Sequence, residues 1–469
     1  KLKEVKIKGT IITVGQRSFQ RDANLQKVSL IAPTVNIGFY SFWNCTQLKE
    51  VDVRGVVKIG QSAFENCKNL EVLNFKTVES IGSHAFKWCT SLKDVEFGKN
   101  LKSIGAAAFA YCEEFPSEIT LPGGFESIGW VPFIGCKNLK AINVSEENEV
   151  FRSIDGVLVK GTTIEVYPEG KDDTTIYNIP SEITEIEIGA FVNNQLTKFK
   201  AQDQSENSEL KIVNGAIYKV NDSGMKLMAY PGNATNAILD SKTTLVESYA
   251  LYGIKAHIIR IPGADKDSIA KWGGANWIGN LKDENPIVYY YGKFIDGTSE
   301  IPGVGLTENV TVYCVKSSTK DEKKILGNAK IKYMINGENY TIYPDNENNS
   351  NLIIEPLESG YYTENDNVKD AIISNIDWTK LELDKVENDK GEEIIAATDI
   401  EQDISSVEIK SGIKEIGDGL FKSFSKLGKI ILPDTLTTIG NQVFDGNEEL
   451  SEIAIPDSVT SIGKYTFRK

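Results

Sequence analysis

Residues 57–75, VKIGQSAFENCKNLEVLNF, decide the fold of this chain, because they return almost at once as VESIGSHAFKWCTSLKDVEF, residues 78–97. A third copy begins with LKSIGAAAFAYC, residues 101–112. The shared template is I-G-x-x-A-F-x-x-C-x-x-L-x-x-V-x-F, and its phenylalanine recurs at spacings of 23, 22, 22, 23 and 24 residues in the first six copies. A fixed period of this length predicts a solenoid of stacked repeats. The template phenylalanines are Phe19, Phe42, Phe64, Phe86, Phe109, Phe133, Phe191, Phe421, Phe444 and Phe467.

The segment LKEVDV, residues 48–53, explains why such a repeat stacks. Its valines occupy alternate positions, which a β-strand turns to one face, so Glu50 and Asp52 point to the other face. One such strand cannot bury its apolar side alone, but copies placed side by side form a parallel sheet over a continuous core. The same pattern predicts strands at residues 70–75 and 92–97. The Ile-Gly pair marks the turn onto the opposite side, where glycine permits a close backbone approach.

The template resembles the BspA-like leucine-rich repeat, which is also seen in a treponemal version. The resemblance covers roughly residues 1–145, residues 180–262 more loosely, and residues 405–469. It implies an α/β repeat protein, namely a leucine-rich-repeat solenoid with a parallel β-sheet face, β-hairpin insertions and a few short helices. Proteins of this family are typically cell-surface or secreted proteins of host-associated microbes, and some bind host extracellular-matrix proteins as adhesins.

The period divides the chain into five regions. Residues 1–145 form the clean solenoid, residues 146–262 hold degenerate repeats with β-hairpins at Phe151–Tyr167 and Leu210–Tyr230, and residues 263–345 read as strand-helix-strand units that continue the array. Residues 346–404 are an acidic, Asn-rich linker or small irregular β segment, and residues 405–469 are truncated C-terminal repeats. The third region has predicted helices at Asp265–Trp277 and Thr319–Leu326, and predicted strands at Ile287–Tyr291, Val310–Val315, Ile331–Ile335 and Tyr340–Tyr343.

The amino-acid composition of the chain limits the classes of partner that it can bind. The 469 residues carry 51 Lys and Arg against 66 Asp and Glu, a net charge of −15, which argues against nucleic acid or an anionic membrane as the main partner. No apolar run reaches transmembrane length, so no membrane insertion is expected within this chain. The chain lacks an initiator Met and a leader, begins within a repeat and stops in mid-template, so we expect a piece of a longer protein, with export left open.

Five of the six cysteines lie three residues after a template phenylalanine and therefore form one column, with one thiol per repeat. They are Cys45, Cys67, Cys89, Cys112 and Cys136. We expect buried free thiols that fill space, because side chains stacked in parallel do not face each other as a disulfide requires. A zinc site is disfavoured because the sequence has no C-x-x-C motif or Cys/His cluster.

The chain offers little for catalysis. Its only histidines are His84, which we expect to be exposed, and His257, which we expect to be partly buried and satisfied. Nucleophilic and metal-assisted reactions need a positioned base or ligand set, and no phosphate-binding loop is present. We therefore predict a protein that is not an enzyme and that needs no cofactor or metal.

The outward positions of the strands remain as the candidate binding surface. From the template they include Lys27, Ser29 and Ala141, and the predicted ligand-binding set is Glu50, Asp52, Val72, Asn74, Asp94, Glu96 and Asn143. This mixed and partly acidic strip suits a protein ligand with some basic character. The alternatives are a structural spacer, or a targeting module of a larger surface protein or surface enzyme.

Overall fold

Successive copies of the template lie strand against strand in the computed structural model of the chain, which is a parallel-strand β-solenoid of about 14 turns. Each turn of the solenoid is called a rung below. The structure describes residues 2–171, 174–201, 209–221, 224–240, 242–261, 271–273, 278–279, 281–290, 309–315, 330–336, 340–345, 351–356, 371–373, 386–387, 393–394 and 403–468.

The first rungs contribute two strand segments each. One segment carries the predicted V-x-V pattern, and Val5, Val28 and Val51 pair in parallel at equivalent positions. The strands are β1 (Glu4–Lys8), β2 (Ile11–Val14), β3 (Lys27–Ile37), β4 (Glu50–Ile59), β5 (Val72–Leu73), β6 (Ser80–Ile81), β7 (Ser103–Ile104), β8 (Glu118–Leu121), β9 (Ser127–Ile128) and β10 (Ala141–Val144). The strand predicted over residues 70–75 shortens to β5, and the one over residues 92–97 is a single bridge at Asp94.

The second segment lies just before the template glycine and forms its own parallel ladder, where we predicted only a turn. Ile59, Ile81, Ile104 and Ile128 pair from rung to rung, and the first three are buried while Ile128 is half-buried. The glycine that follows is needed for packing, because a Cβ at Gly82 would lie 2.6 Å from the backbone nitrogen of Gln61 in the preceding rung. The expected close backbone approach is therefore present.

The A-F segment closes the third side of each rung. Backbone hydrogen bonds also link the rungs here, as from Phe64 N to Ala85 O at 2.8 Å, and Ser62 and Asn66 adopt left-handed conformations. The rings from Phe19 to Phe109 stack with centroids 5.1 to 5.3 Å apart and planes within 3 to 8°. The single file of phenylalanines implied by the template is present, and burial of these rings supplies much of the core.

The cysteine column is confirmed as five buried free thiols. Each Sγ donates to the backbone oxygen of the phenylalanine in the preceding rung, as from Cys67 to Phe42 at 3.1 Å and from Cys89 to Phe64 at 3.1 Å. Desolvation raises the pKa of the Cys45 thiol to about 12, and it raises the pKa of the Cys67 thiol as well. The Cys45 and Cys67 thiols therefore stay protonated near neutral pH, and the buried thiols of the column act as small apolar groups with one weak donor each.

Both predicted hairpin insertions are antiparallel three-stranded meanders. Asp155-Gly156 and Asn214-Gly215 make their first turns, with positive φ at all four residues. The strands from this region are β11 (Phe151–Ile154), β12 (Val157–Lys160), β13 (Thr163–Val166), β14 (Ile176–Ile179), β15 (Glu185–Ile186), β16 (Lys198–Ala201), β17 (Leu210–Val213), β18 (Ala216–Asn221), β19 (Gly224–Ala229), β20 (Asn236–Ile238), β21 (Thr243–Glu247), β22 (Leu251–Tyr252) and β23 (Ile258–Ile261). The last strand of each meander, β13 or β19, pairs in parallel with the next rung, so the array continues.

The remaining strands carry the sheet to the C-terminal repeats. They are β24 (Lys271–Gly273), β25 (Ile278–Gly279), β26 (Ile287–Tyr290), β27 (Thr311–Val315), β28 (Lys330–Asn336), β29 (Tyr340–Pro344), β30 (Asn351–Pro356), β31 (Ala371–Ile373), β32 (Val386–Glu387), β33 (Glu393–Ile394), β34 (Ser406–Ile409), β35 (Ile413–Ile416), β36 (Lys429–Ile431), β37 (Thr438–Ile439) and β38 (Ser461–Ile462). The four predicted strands of the third region correspond to β26 to β29. Because β30 pairs in parallel with β34, the C-terminal rungs extend the same nine-stranded sheet.

The prediction of a few short helices is not supported, since the named elements of the described residues are all strands. Inside the helix predicted at Asp265–Trp277, residues Lys271–Gly273 form β24 and pair with β21. The sheet offers these backbone groups partners in the neighbouring rung, and the Gly273-Gly274 pair disfavours a helix. The other predicted helix, Thr319–Leu326, and most of the acidic segment 346–404 lie outside the described residues.

Replacing one stacked ring should destabilise the solenoid strongly. Phe86 is fully buried between Phe64 and Phe109, so Phe86→Ala should lower the free energy of unfolding by about 3–5 kcal/mol. The matched control is Phe39→Ala, which removes a ring that is 54% exposed and should cost about 1 kcal/mol or less. Urea denaturation followed by circular dichroism compares the two, and equal losses would contradict the stacked core.

The glycine after each template Ile should likewise not tolerate substitution. Gly82→Ala forces the backbones of two rungs apart and should cost about 1–3 kcal/mol, since overpacking is relieved only by backbone movement. At Gly124 a new Cβ would meet only Lys99 O at 3.9 Å, so Gly124→Ala should be neutral or slightly stabilising. The prediction fails if thermal melting shows the same midpoint for both variants.

Candidate functional site

The strand face consists of the outward side chains of the first ladder, and the register of that ladder arranges them in rows. Lys27 pairs with Glu50, Glu50 with Val72, and Val72 with Asp94, so one row runs across four rungs. The neighbouring row begins where Ser29 pairs with Asp52. Parallel strands repeat about every 4.8 Å, so equivalent side chains recur at that interval along the surface.

The predicted binding residues lie on this face with unequal exposure. The exposed ones are Glu50, Val72, Asn74, Asp94 and Glu96, while Asp52 and Asn143 are half-buried. Val72 is 43% exposed and remains the apolar spot of the strip. The expectation for Ser29 was wrong, because its small side chain is only 5% exposed between its taller neighbours on adjacent strands.

Several charges on this side of the solenoid are already paired. Lys27 Nζ lies 2.7 Å from Glu50 Oε1, Lys76 Nζ lies 3.5 Å from Glu96 Oε2, and Asn143 donates to Glu118 at 3.4 Å. Exposed ion pairs of this kind contribute about 0–1 kcal/mol each, so a ligand can replace them at small cost. The arrangement can form hydrogen bonds and ion pairs with a partner, but it does not assemble an acid, a base and a nucleophile.

The chemistry-bearing residues are dispersed in the part of the chain that the structure describes, which contains no group of three or more His, Cys, Asp or Glu able to hold a metal ion. His84 was expected to be exposed but is half-buried, and desolvation lowers its pKa. His257 is satisfied by Asp283, with Nδ1 3.0 Å from Oδ1, although its side chain is more exposed than expected. In the same described residues, no helix has the length and apolarity to cross a membrane.

A buried polar cluster lies beside the first meander, away from the strand face. Glu169 accepts hydrogen bonds from Gly135 N at 2.7 Å and from Asn193 Nδ2 at 3.2 Å, and Lys282 Nζ lies 3.5 Å from the main-chain oxygen of Asn193. Glu169 and Asn193 are buried polar residues. Glu169 therefore links the meander to the rungs before and after it.

Only weak signals in the sequence point to this cluster. Glu169 lies in Pro168-Glu169-Gly170, directly after the first meander, whereas the second meander ends in Pro231-Gly232 with no acid. At Phe191 the template reads F-V-N-N in place of F-x-x-C, so Asn194 replaces the column cysteine. Its amide donates to Phe191 O at 2.8 Å and Tyr230 O at 3.1 Å, a bonding capacity that no thiol has.

Desolvation raises the pKa of Glu169, although its hydrogen bonds from Gly135 and Asn193 act in the opposite direction. A carboxyl group whose pKa is raised by folding contributes stability below its ordinary value of 4.5, and this contribution is lost as the pH rises through the raised pKa. The ionised form is therefore a cost to the folded chain near neutral pH.

The substitution Glu169→Gln should remove this pH dependence. The amide keeps the shape but does not ionise, so the variant should gain stability relative to the parent protein as the pH rises from 4.5 towards 7. Urea denaturation at several pH values measures this difference. The exposed Glu114 serves as the control, because Glu114→Gln makes the same change of charge at a site open to solvent. A constant difference between parent and Glu169→Gln at all pH values would contradict the assignment.

Comparison with solved structures finds bacterial leucine-rich repeat proteins. One from Eubacterium ventriosum shares 17% identity, with 95% of this chain and 82% of that one covered and a TM-score of 0.35. The pneumococcal vaccine antigen PcpA shares 19% identity, with 70% and 88% covered and a TM-score of 0.45. A leucine-rich repeat protein from T. pallidum shares 20% identity, with 39% and 69% covered and a TM-score of 0.21. Among curated protein sequences none matches the chain.

The family assignment rests on the sequence profile of the BspA type leucine rich repeat region. Six copies of that profile match residues 1–77, 57–165 and 400–469, which together make just over half of the chain. The matched residues include the stacked phenylalanines and the cysteine column described above. The chain belongs to the BspA-type leucine-rich repeat family.

Proposed function

We propose that this chain is a non-enzymatic recognition module of a cell-surface or secreted protein, and that it binds a host or extracellular-matrix protein through the strand face in the manner of an adhesin. Leucine-rich repeat domains generally serve as protein-interaction or surface-protein modules. The single observation that supports the strand face is its register, which repeats exposed side chains in rows on a rigid support.

The charge of the face supports a ligand with basic character. Asp52, Asp94 and Glu96 lie on or beside the exposed rows, and the chain as a whole carries a net charge of −15. Complementary charge of this kind speeds association and fixes orientation more than it adds affinity. Val72 gives the strip an apolar contact near its middle.

A spacer or targeting module of a larger surface protein or surface enzyme is the second candidate. It is favoured by the ion pairs that neighbouring rungs make with each other on this side, such as Lys49 Nζ to Glu71 Oε1 at 3.1 Å and Lys93 Nζ to Glu71 Oε2 at 3.7 Å. Charges that pair within the solenoid stiffen it and leave fewer groups for a partner. A module of this kind would hold another domain at a fixed distance without a ligand of its own.

Reversing the acidic charges of the strand face distinguishes the two candidates. The combined substitution of Glu50, Asp52, Asp94 and Glu96 by Lys should weaken binding to immobilised matrix proteins by at least about tenfold, or roughly 1.4 kcal/mol, because it turns attraction into repulsion. Surface plasmon resonance at two salt concentrations gives the affinity, and circular dichroism confirms the fold.

A matched variant controls for the change in net charge. Glu113, Glu114, Glu146 and Glu149 are exposed but lie outside the strand face, and their joint replacement by Lys alters the charge by the same amount. This variant should bind like the parent protein. Equal binding by parent, face variant and control would reject the strand face as the site, and absence of binding by the parent would favour the spacer.

A further inference from the structure

One buried cluster brings a carboxyl group, a primary amide and an amine together from three separate segments. Asn193 Nδ2 donates to Glu169 Oε2 at 3.2 Å, and Lys282 Nζ lies 3.5 Å from the main-chain oxygen of the same asparagine. Neither the stacked core nor the strand face makes use of these groups. This combination matters because a primary amine and a carboxamide are the reactants of a transamidation, which gives a secondary amide and ammonia.

The side chain of Asn193 is buried, while its left-handed backbone, with a φ of 56°, is the one that Asn66, Trp88 and Tyr111 adopt at the same template position. Its Oδ1 has no hydrogen-bond partner among the described residues. A Cβ added at Gly253 would lie 1.9 Å from this oxygen, so the neighbouring rung packs directly against the amide. Buried amide oxygens normally accept a hydrogen bond, so an unpartnered one calls for a specific explanation.

The local electrostatics favour proton exchange between the Lys282 amine and the Glu169 carboxyl group. Lys282 is an exposed residue by its total surface, but desolvation of its amine lowers its pKa; the Glu169 carboxyl acts in the opposite direction, and the nearby Lys255 and Lys137 lower the pKa further. Desolvation raises the pKa of Glu169. The two shifts bring the pKa values towards each other, which increases the population of a neutral amine beside a protonated carboxyl group.

We propose that Lys282 and Asn193 form an intramolecular isopeptide bond, with Glu169 as the proton carrier. The lone pair of Lys282 Nζ attacks Cγ of Asn193, an Nζ–Cγ bond forms, the Cγ–Nδ2 bond breaks and ammonia leaves. One proton passes from Nζ to Nδ2 through the carboxyl group of Glu169, which ends in its starting state. No oxidant or other reactant is required. The amine moves from the main-chain oxygen of Asn193 to Cγ of the same residue by side-chain rotation.

The bond would join two rungs at positions 89 residues apart. A covalent link of this span restricts the unfolded chain, as a disulfide does, but it cannot be reduced. It would fasten the meander region to the start of the central sheet.

Mass spectrometry of the intact folded protein tests the proposal directly. The parent chain should be lighter than its sequence mass by one ammonia, and a tryptic digest should contain a branched peptide that joins the Asn193 segment to the Lys282 segment. Lys282→Met and Glu169→Ala should each restore the full sequence mass. Lys242 is an exposed lysine that takes no part in the cluster, so Lys242→Met is the matched control and should keep the mass deficit.

Two outcomes would overturn the proposal. A parent protein of full sequence mass, with a native circular dichroism spectrum after prolonged incubation at pH 7, shows that the bond does not form. Ammonia loss that persists in Lys282→Met indicates cyclisation of an asparagine on its own backbone, as at Asn214-Gly215, and not a link to the lysine. If Glu169→Ala unfolds, Glu169→Gln keeps the shape without the acid and should also show full mass.

Discussion

The structure depends on the contact of each side chain with its own counterpart one rung away. Phenylalanine stacks on phenylalanine, isoleucine pairs with isoleucine, and each cysteine thiol donates to the backbone of the rung before it. No rung can bury its apolar groups alone, so the stability of one rung is inseparable from that of its neighbours. The same constraint removes most freedom from the interior and leaves variation to the outward positions.

Those outward positions explain why recognition is the function that the fold supports best. The core uses the Phe, Cys, Ile and Leu positions of every repeat, so new chemistry can enter only on the strand face, in the turns or in the insertions. The strand face offers rows of exposed polar groups with an apolar spot at Val72. A surface of this kind is suited to an extended protein partner. Its exposed internal ion pairs are weak, so breaking them on binding costs little free energy.

The sequence allowed the solenoid, the stacked rings and the thiol column to be predicted because these features repeat in register. Phe64, Phe86 and Phe109 lie in one file since any other arrangement would break the period. The helix predicted at Asp265–Trp277 was wrong in its Lys271–Gly273 part because local helix signals compete there with a neighbouring strand that supplies backbone partners. The buried cluster at Glu169 was not predictable, since Glu169 and Lys282 lie outside the template and Asn193 occupies a variable position within it.

The replacement of the column cysteine by Asn194 shows how a repeat can become unrecognisable from its residue types while its fold persists. The family profile matches residues 1–165 and resumes at 400, yet strand pairing continues through the interval that it misses, in parallel at β19–β21, β23–β26 and β30–β34 and antiparallel from β28 to β30. Asn194 keeps the backbone hydrogen bond of its position, from its N to Phe191 O at 3.3 Å, while its side chain donates to Phe191 O and Tyr230 O and no longer to the preceding rung. Hydrogen bonding between rungs tolerates such exchanges, so divergence erases the recognisable signature long before it alters the path of the chain. Repeat number inferred from residue identity will therefore fall short of the true number in proteins of this architecture.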